Sequence, residues 1–214
     1  MPARRRPFAL KHAEAHLAVA DPVLAALIAE HGRYTVRPGS DPYAWLIRTI
    51  LFQQLAGSAA RTIQRKWFAL YGDETRVPTP EQIIATTDEQ FRSTGVSRQK
   101  ASYFRDVAAR MLDGRLTIDG LGRLPDEDVT KYLTAIRGVG EWSAHMFLMF
   151  ELGRPDILPI GDFGVRNGMR VAYGLDAVPS PARAREIGAL WAPYRSVASW
   201  YMWRAVEGVW VGET

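Results

Sequence analysis

The sequence predicts an all-α protein, an orthogonal bundle of helices in two lobes around a cleft. Two observations predict this fold class. Apolar residues recur at helical spacing along most of the 214 residues, whereas the alternation typical of strands is almost absent. Helix boundaries are also marked, because capping side chains directly precede prolines and glycines follow the periodic stretches. The predicted starts are Asp21-Pro22, Asp41-Pro42, Thr79-Pro80 and Ser180-Pro181, and the predicted stops are Gly32, Gly72, Gly114, Gly153 and Gly174.

The segments between these marks are assigned in chain order. Four of them carry a broad apolar face at helical spacing, and Thr79 with Gln82 forms a capping box at the start of another helix. We expect about ten helices in all, and the only candidate strand is Arg115–Asp119. The four apolar faces consist of Trp45, Ile47, Ile50 and Leu51; Ile63, Trp67 and Leu70; Tyr103, Phe104, Val107 and Met111; and Val129, Tyr132, Leu133 and Ile136.

The length predicts a single domain over residues 1–214. Within it we expect a middle lobe from about 41 to 123, and a second lobe built from residues 1–40 together with about 162–214. Residues 126–152 are expected to hold two helices joined by a tight hairpin.

Charge and composition narrow the class of protein. There are 27 basic and 23 acidic residues, a net charge of +4 that weakly indicates an anionic partner. Cysteine is absent, which excludes disulfides, zinc ribbons, iron–sulfur clusters and cysteine nucleophiles. No segment approaches the roughly 18 apolar residues of a membrane span, and the basic arm Arg4–Arg6 lacks the apolar run of an export signal. We therefore expect no membrane association and a cytoplasmic location. If the source is bacterial, we expect the protein to associate with the nucleoid.

The most informative stretch is a glycine hairpin within residues 133–147. Gly138 and Gly140 with Ala144 superficially resemble a dinucleotide-binding fingerprint, but that fingerprint must follow a strand and here a helical pattern precedes it. The alternative is a helix, a Gly-Val-Gly turn and a second helix. Both glycines are expected to adopt backbone angles that other residues avoid, and the helix start beyond them can bind phosphate. A plain turn between packed helices remains the other interpretation.

Five blocks, in order along the chain, resemble one known family. They are residues 50–60, 95–100, 133–144, 158–166 and 193–204. Together they resemble the helix-hairpin-helix DNA glycosylases, in the branch of the 3-methyladenine DNA glycosylases II. The resemblance implies a monomeric enzyme that flips alkylated purines out of double-stranded DNA and removes them, leaving an abasic site for base excision repair.

The resemblance also implies roles for individual residues. Asp162 lies in the loop that carries the family's aspartate, which stabilises the cationic sugar as the base leaves; helix capping is its alternative role. Trp142, Phe163 and Trp203 are expected to line the base pocket, with Met146 where a relative has a tyrosine. Trp67 and Trp191, and also Trp45, are instead expected to lie in the hydrophobic core.

Further roles concern the DNA backbone. Leu55, next to Gln54, falls where the family inserts a wedge into the duplex, although a core leucine at a helix end is the alternative. Phosphate is expected at the hairpin, and a monovalent cation is implied there; no other cofactor is expected. The hairpin residues are Gly138, Val139, Gly140 and Ser143, and the cation would be held by the carbonyls of Thr134, Ile136 and Val139.

Trp142 occupies the position where strand-cleaving relatives have a lysine. Without an amine nucleophile there is no Schiff base with the sugar, so base removal without strand cleavage is expected. Two other functions stay open: a non-catalytic protein that binds damaged DNA, and a glycosylase for oxidised or mismatched bases. The preferred alkylated base, the cleavage of neutral lesions, and the roles of Arg195 and Arg204 also stay open.

Overall fold

A computed structural model describes residues 8–118 and 120–206. These residues contain twelve α-helices and no β-strand, so the predicted fold class is confirmed and the helix count exceeds the expected one. The candidate strand at 115–118 is wrong, since it forms no strand pairing, and Asp119 and the basic arm Arg4–Arg6 lie outside the described residues. The helices are α1 (Leu10–Ala20), α2 (Pro22–His31), α3 (Pro42–Phe52), α4 (Gly57–Ala69), α5 (Pro80–Ala85), α6 (Asp88–Thr94), α7 (Arg98–Leu112), α8 (Asp126–Thr134), α9 (Glu141–Met146), α10 (Phe163–Ala172), α11 (Pro181–Gly188) and α12 (Arg195–Val206).

Helix starts follow the predicted capping chemistry. At each of the four predicted starts the residue before the proline accepts a hydrogen bond from a backbone N–H of the first turn. Thr79 and Gln82 form the complete capping box. The five predicted glycine stops all have positive φ. Short turns complete the set: 3-10 turns at Leu121–Arg123 and Ala189–Trp191, and a π-helical turn at Phe147–Glu151.

The chain forms two compact units. Of the described residues, 8–40 and 148–206 make the first unit, which contains α1, α2, α10, α11 and α12. Its core includes the fully buried Trp191, Tyr201 and Met202. α10 packs closely on α12, because a Cβ at Gly168 would lie 2.1 Å from the backbone oxygen of Met202. This close packing fixes the middle of α10 against α12.

The second unit spans Asp41–Phe147 and contains α3 to α9. Its core centres on Trp67, which stacks on Phe104 at 4.4 Å between ring centroids and lies against Phe91. α7 is the central helix, in contact with α3, α5 and α6. No helix within residues 8–118 and 120–206 combines the length and apolar character needed to cross a bilayer.

Candidate functional site

The glycine hairpin joins α8 to α9 in the second unit, and its two glycines differ. Gly138 has φ +83°, and a Cβ there would lie 2.2 Å from Cδ2 of Tyr103 on α7. Gly140 has φ −96° and ψ 175°, an extended conformation open to any residue, so the expectation of a special backbone angle is wrong for it. A Cβ at Gly140 would meet nothing within 4 Å. Backbone conformation and packing therefore explain why residue 138 is a glycine. At Gly140 neither requires a glycine, and the missing side chain leaves open space at the start of α9.

Helix α7 also fixes the hairpin through a hydrogen bond. The backbone N–H of Arg137 donates to Oδ2 of Asp106 over 2.9 Å, and the same oxygen accepts from Nε of Arg110. Val139 and Ser143 are buried, at 6% and 5% exposure. The side chains of these two predicted phosphate contacts are therefore not exposed to a ligand in solution, and Gly140 provides no side-chain cap to α9.

The turn from α3 to α4 carries the candidate wedge residues, Gln54 and Leu55. Gln54 is exposed and has φ +58°, the only non-glycine residue with positive φ among those that the structure describes. Such a backbone is uncommon outside glycine and marks a constrained turn. Leu55 is half-buried and so is not a core leucine. Both side chains are presented by a turn of defined shape.

Two contacts hold this turn, and Lys100 on α7 makes one of them. Its Nζ donates to the carbonyl oxygens of Leu51 and Gln53 over 2.5 and 2.7 Å. A cation is favourable at the carboxyl end of a helix, here α3, while burial lowers the pKa of Lys100. The side chain of Gln53 makes the second contact, donating from Nε2 to the carbonyl of Gly138 over 2.9 Å. The wedge turn and the hairpin are therefore tied to each other and to α7.

A cavity of about 370 Å³ adjoins this network. The candidate wedge residues line it together with Lys100, Tyr103 and Gly138. The sequence analysis did not single out Lys100 or Tyr103. The position of Lys100 at the end of the 95–100 block was the available signal, but the backbone carbonyls that it binds cannot be recognised from side-chain types.

Asp162 in the first unit is the N-cap of α10. Its Oδ1 accepts the backbone N–H of Val165 over 2.8 Å and the indole N–H of Trp203 over 3.0 Å. The capping interpretation is thus confirmed, and the half-buried carboxylate is oriented from two sides. Gly164 leaves space for the indole, because a Cβ there would lie 2.9 Å from Cδ1 of Trp203.

The ring of Trp203, which donates to this carboxylate, also packs on a second aromatic ring. Trp203 stacks on Phe150, with ring centroids 5.7 Å apart and 28° between the planes. Phe163, next to Asp162 in the chain, is 58% exposed. The first unit thus brings together Asp162, Phe163 and Trp203, and it adds Phe150, which the sequence analysis missed.

The other two candidate pocket residues lie on α9 in the second unit. Trp142 is 47% exposed, an unusual state for the largest side chain. Met146 is only 5% exposed and packs into the interior of its unit. By contrast Trp67 and Trp191 are fully buried, as expected for core residues, and Trp45 is half-buried against the ring of Phe147.

The two arginines left open by the sequence have structural partners in the first unit. Arg195 forms a bidentate pair with Asp156, with nitrogen–oxygen distances of 2.7 and 2.8 Å. Hydrogen bonding to that carboxylate raises the pKa of Arg195. The guanidinium of Arg204 lies 5.6 Å from the ring centroid of Trp200. Arg195 therefore ties the start of α12 to the loop before α10.

Comparison with known proteins shows the family of this chain. Residues 47–193 match the model of the HhH-GPD superfamily base excision DNA repair proteins. DNA-3-methyladenine glycosylase 1 of Schizosaccharomyces pombe is 33% identical over 201 residues, which cover 91% of this chain and 87% of that protein. YfjP of Bacillus subtilis, provisionally named a DNA-3-methyladenine glycosylase, is 32% identical over 188 residues, covering 86% of this chain and 66% of its own length.

A solved structure extends the likeness to the fold. The S. pombe 3-methyladenine DNA glycosylase Mag1, in complex with abasic DNA, superposes with a TM-score of 0.80 at 31% identity. The match covers 92% of this chain and 97% of that one. The chain therefore belongs to the HhH-GPD superfamily of base excision DNA repair proteins.

Proposed function

We propose that this protein is a monofunctional DNA glycosylase that removes alkylated purines of the 3-methyladenine and 7-methylguanine type. It acts as a cytoplasmic monomer on double-stranded DNA and leaves an abasic site for base excision repair. The observation that carries the proposal is the carboxylate of Asp162, held by the Val165 and Trp203 N–H groups beside stacked aromatic rings. The names of the S. pombe and B. subtilis relatives, and the abasic DNA bound to Mag1, support the same activity.

The chemistry follows from the charge of the damaged base. Alkylation at a ring nitrogen makes the purine cationic, and a cation over an aromatic face gains about 0.5–2 kcal/mol. Phe163 and Trp203 can supply such faces in the first unit, and the exposed Trp142 can supply one from α9. A neutral purine binds less well and leaves less easily, so the alkylated base is selected at both steps.

The reaction needs no proton donor for the leaving group. The bond from the sugar C1′ to the base nitrogen breaks, and its electron pair leaves with the base, which becomes neutral. The carboxylate of Asp162 stabilises the positive charge that develops on the sugar. Water then bonds to C1′ and releases its proton, for which Asp162 is the acceptor we propose.

The hairpin and the turn before α4 hold the DNA in this proposal. Phosphate approaches the open face at Gly140, where a backbone N–H can donate without obstruction by a side chain. The Gln54–Leu55 turn enters the duplex and occupies the gap left by the flipped base. Gln53 accepts a hydrogen bond from Lys100 through its carbonyl and donates one to the hairpin through its side chain. These two bonds support a rigid wedge.

A monovalent cation at the hairpin also forms part of the proposal. The carbonyls of Thr134, Ile136 and Val139 would hold it, and it would bridge to a phosphate. The carbonyl of Ile136 accepts the N–H of Val139 over 3.1 Å, which leaves a second lone pair for an ion. No cluster of three or more acidic, histidine or cysteine side chains suited to a metal occurs among the described residues.

Strand cleavage is not expected. The chain has four lysines, Lys11, Lys66, Lys100 and Lys131. Trp142 takes the place of the amine nucleophile on α9, and the ammonium of Lys100 is already bonded to two carbonyls. A Schiff base needs a neutral, mobile amine at the sugar, so the abasic strand stays intact.

The test is chromatographic identification of the bases released from DNA treated with a methylating agent. We expect 3-methyladenine and 7-methylguanine from the wild type, and far less of either base from Asp162→Asn in the same time. A protein that only binds damage would retain affinity for methylated DNA and release nothing. Incubation with an 8-oxoguanine duplex tests the other function, since base release or a nicked strand there would contradict the proposal.

A further inference from the structure

A second cavity, of about 860 Å³, lies along α4 in the second unit. We call it the arginine groove, after Arg48, Arg61 and Arg65, which line it together with the single acidic residue Glu74. Three guanidinium groups and one carboxylate leave an excess of two positive charges. None of the three arginines forms an ion pair within residues 8–118 and 120–206. The groove therefore presents positive charge that the protein itself does not neutralise.

The groove has defined walls. Ser58, Arg61 and Arg65 follow one another at spacings of three and four residues, so they share one face of α4. The guanidinium of Arg61 folds back towards the start of that helix, where a Cβ on Gly57 would lie 3.3 Å from its Nη1. Arg48 crosses from α3 and donates to the carbonyl of Thr75 over 3.2 Å.

The opposite wall is an ordered loop. Asp73 accepts hydrogen bonds from the hydroxyl and the backbone N–H of Thr75 and from the backbone of Arg76. These bonds give the loop a defined shape, and they lower the pKa of Asp73. Arg48 is thereby held at a fixed place in the groove.

The groove begins where the candidate wedge turn begins. Phe52 lines the groove, whereas the next three residues, Gln53 to Leu55, line the cavity beside the hairpin. The groove and the cavity beside the hairpin therefore meet at consecutive residues, where α3 ends and the turn begins. Guanidinium groups match phosphate oxygens in a bidentate geometry, and a row of arginines along a helix suits a regularly spaced polyanion.

We propose that the arginine groove binds the sugar–phosphate backbone of one duplex arm next to the lesion. The inference rests on the proposed function, because it takes the wedge turn as the point of entry into DNA. The nine residues from Gly57 to Arg65 span about 12 Å, because they are separated by eight steps of about 1.5 Å each. This length equals roughly three to four base pairs of B-form DNA. The contacts are therefore lost from a duplex whose arm ends two base pairs from the lesion.

The experiment measures affinity for duplexes with a central tetrahydrofuran abasic site. One duplex has ten base pairs on each side, and two others have one arm shortened to two pairs. Fluorescence anisotropy is recorded between 50 and 200 mM KCl. The variants are Arg61→Gln with Arg65→Gln, and Glu74→Gln, with Arg92→Gln as a control because Arg92 is exposed on α6 outside the groove.

For the full duplex we expect the double variant to bind about tenfold more weakly, with a salt slope smaller by about two. On one of the two shortened duplexes, the wild type should bind more weakly than on the full duplex by a similar factor. On that duplex the wild type and the double variant should bind with equal affinity. Glu74→Gln should bind the full duplex about twofold to threefold more tightly, and Arg92→Gln should match wild type. Glutamine suits an exposed helix face, and circular dichroism verifies the fold.

Three results would contradict DNA binding in the groove. They are an unchanged affinity of the double variant, an equal loss of affinity by the double variant on all three duplexes, or the same loss of affinity in Arg92→Gln. If wild type releases no methylated base, the proposed activity fails, yet the affinity measurements still decide whether the groove holds DNA.

Discussion

The indole N–H of Trp203 and the backbone N–H of Val165 converge on one oxygen of Asp162. A single atom thus caps α10 and receives a hydrogen bond from α12. This arrangement joins a structural and a proposed chemical role in one side chain. Variants can separate the two roles, because other residue types also cap helices.

Asp162→Asn separates them most cleanly. Asparagine caps a helix about as well as aspartate, and its carbonyl can accept from both N–H groups, so only the negative charge is lost. We expect the single-turnover excision rate to fall by about 10²–10³-fold, with the free energy of unfolding changed by less than about 0.5 kcal/mol. Asp162→Ala serves as the comparison, since it should also lose about 1 kcal/mol of stability. An excision rate within tenfold of wild type would leave capping as the only role.

Trp203→Phe tests the orientation of the carboxylate. The ring that stacks on Phe150 is largely retained, but the hydrogen bond to Asp162 is lost. Bonds to charged groups contribute about 1.5–3 kcal/mol, so we expect an excision rate at least about tenfold lower. Trp200→Phe is the matched control, on the same helix and packed on Tyr34 and Tyr201 instead. Equal losses in both variants would point to general damage to α12.

The helix boundaries were predictable because capping is local chemistry. The side chains of Asp21, Asp41, Thr79 and Ser180 bind N–H groups two or three residues away, and such distances can be read from sequence. The helix count was too low because a helix as short as α6, with seven residues, was not recognised. Segments of that length show too few repeats for periodicity to separate them.

Contacts between distant segments were not predictable. The role of Lys100 depends on carbonyls 47 and 49 residues earlier in the chain, and every residue type carries a carbonyl. The stacking of Phe150 on Trp203 likewise depends on how the π-helical turn packs on α12. The two glycines of the hairpin looked alike in sequence, although only Gly138 needs a left-handed backbone. Tertiary packing, rather than local preference, decides each of these cases.

Gly138→Ala and Gly140→Ala form a pair with opposite expected effects. Alanine at 138 must adopt a positive φ, at about 1–2 kcal/mol, and also displace the ring of Tyr103. The free energy of unfolding should fall by about 3 kcal/mol in total. Alanine at 140 meets nothing, so the fold should be unchanged while affinity for abasic DNA falls by about tenfold, because the methyl group holds phosphate away. Denaturant titration and anisotropy give both quantities, and wild-type affinity in Gly140→Ala would argue against phosphate at the hairpin.

Lys100→Met tests whether the wedge turn needs its anchor. The substitution leaves the carbonyls of Leu51 and Gln53 without their ammonium partner. We expect a loss of about 1–3 kcal/mol in the free energy of unfolding. The excision rate at saturating DNA should also fall, because the turn loses its fixed position. Lys66→Met, an exposed site on α4, controls for the loss of a charge. Excision at the wild-type rate by Lys100→Met would show that the anchor serves stability alone.

His145 on α9 makes stability depend on pH below neutrality. Burial holds the pKa of His145 below its ordinary value of 6.5, although Glu141, 3.8 Å away, partly offsets this effect. Between the two pKa values the unfolded chain binds more protons than the folded one, so the free energy of unfolding rises with pH there. The stability is fully present above pH 6.5 and is lost as the pH falls through the lowered folded pKa. We therefore expect the fall in Tm from pH 7.5 to 5.5 to be smaller in His145→Gln than in wild type. His12→Gln is the control, at an exposed site on α1, and its Tm should fall as much as that of the wild type. If the Tm of His145→Gln also falls as much as that of the wild type, the imidazole of His145 binds its proton equally well in the folded and unfolded states.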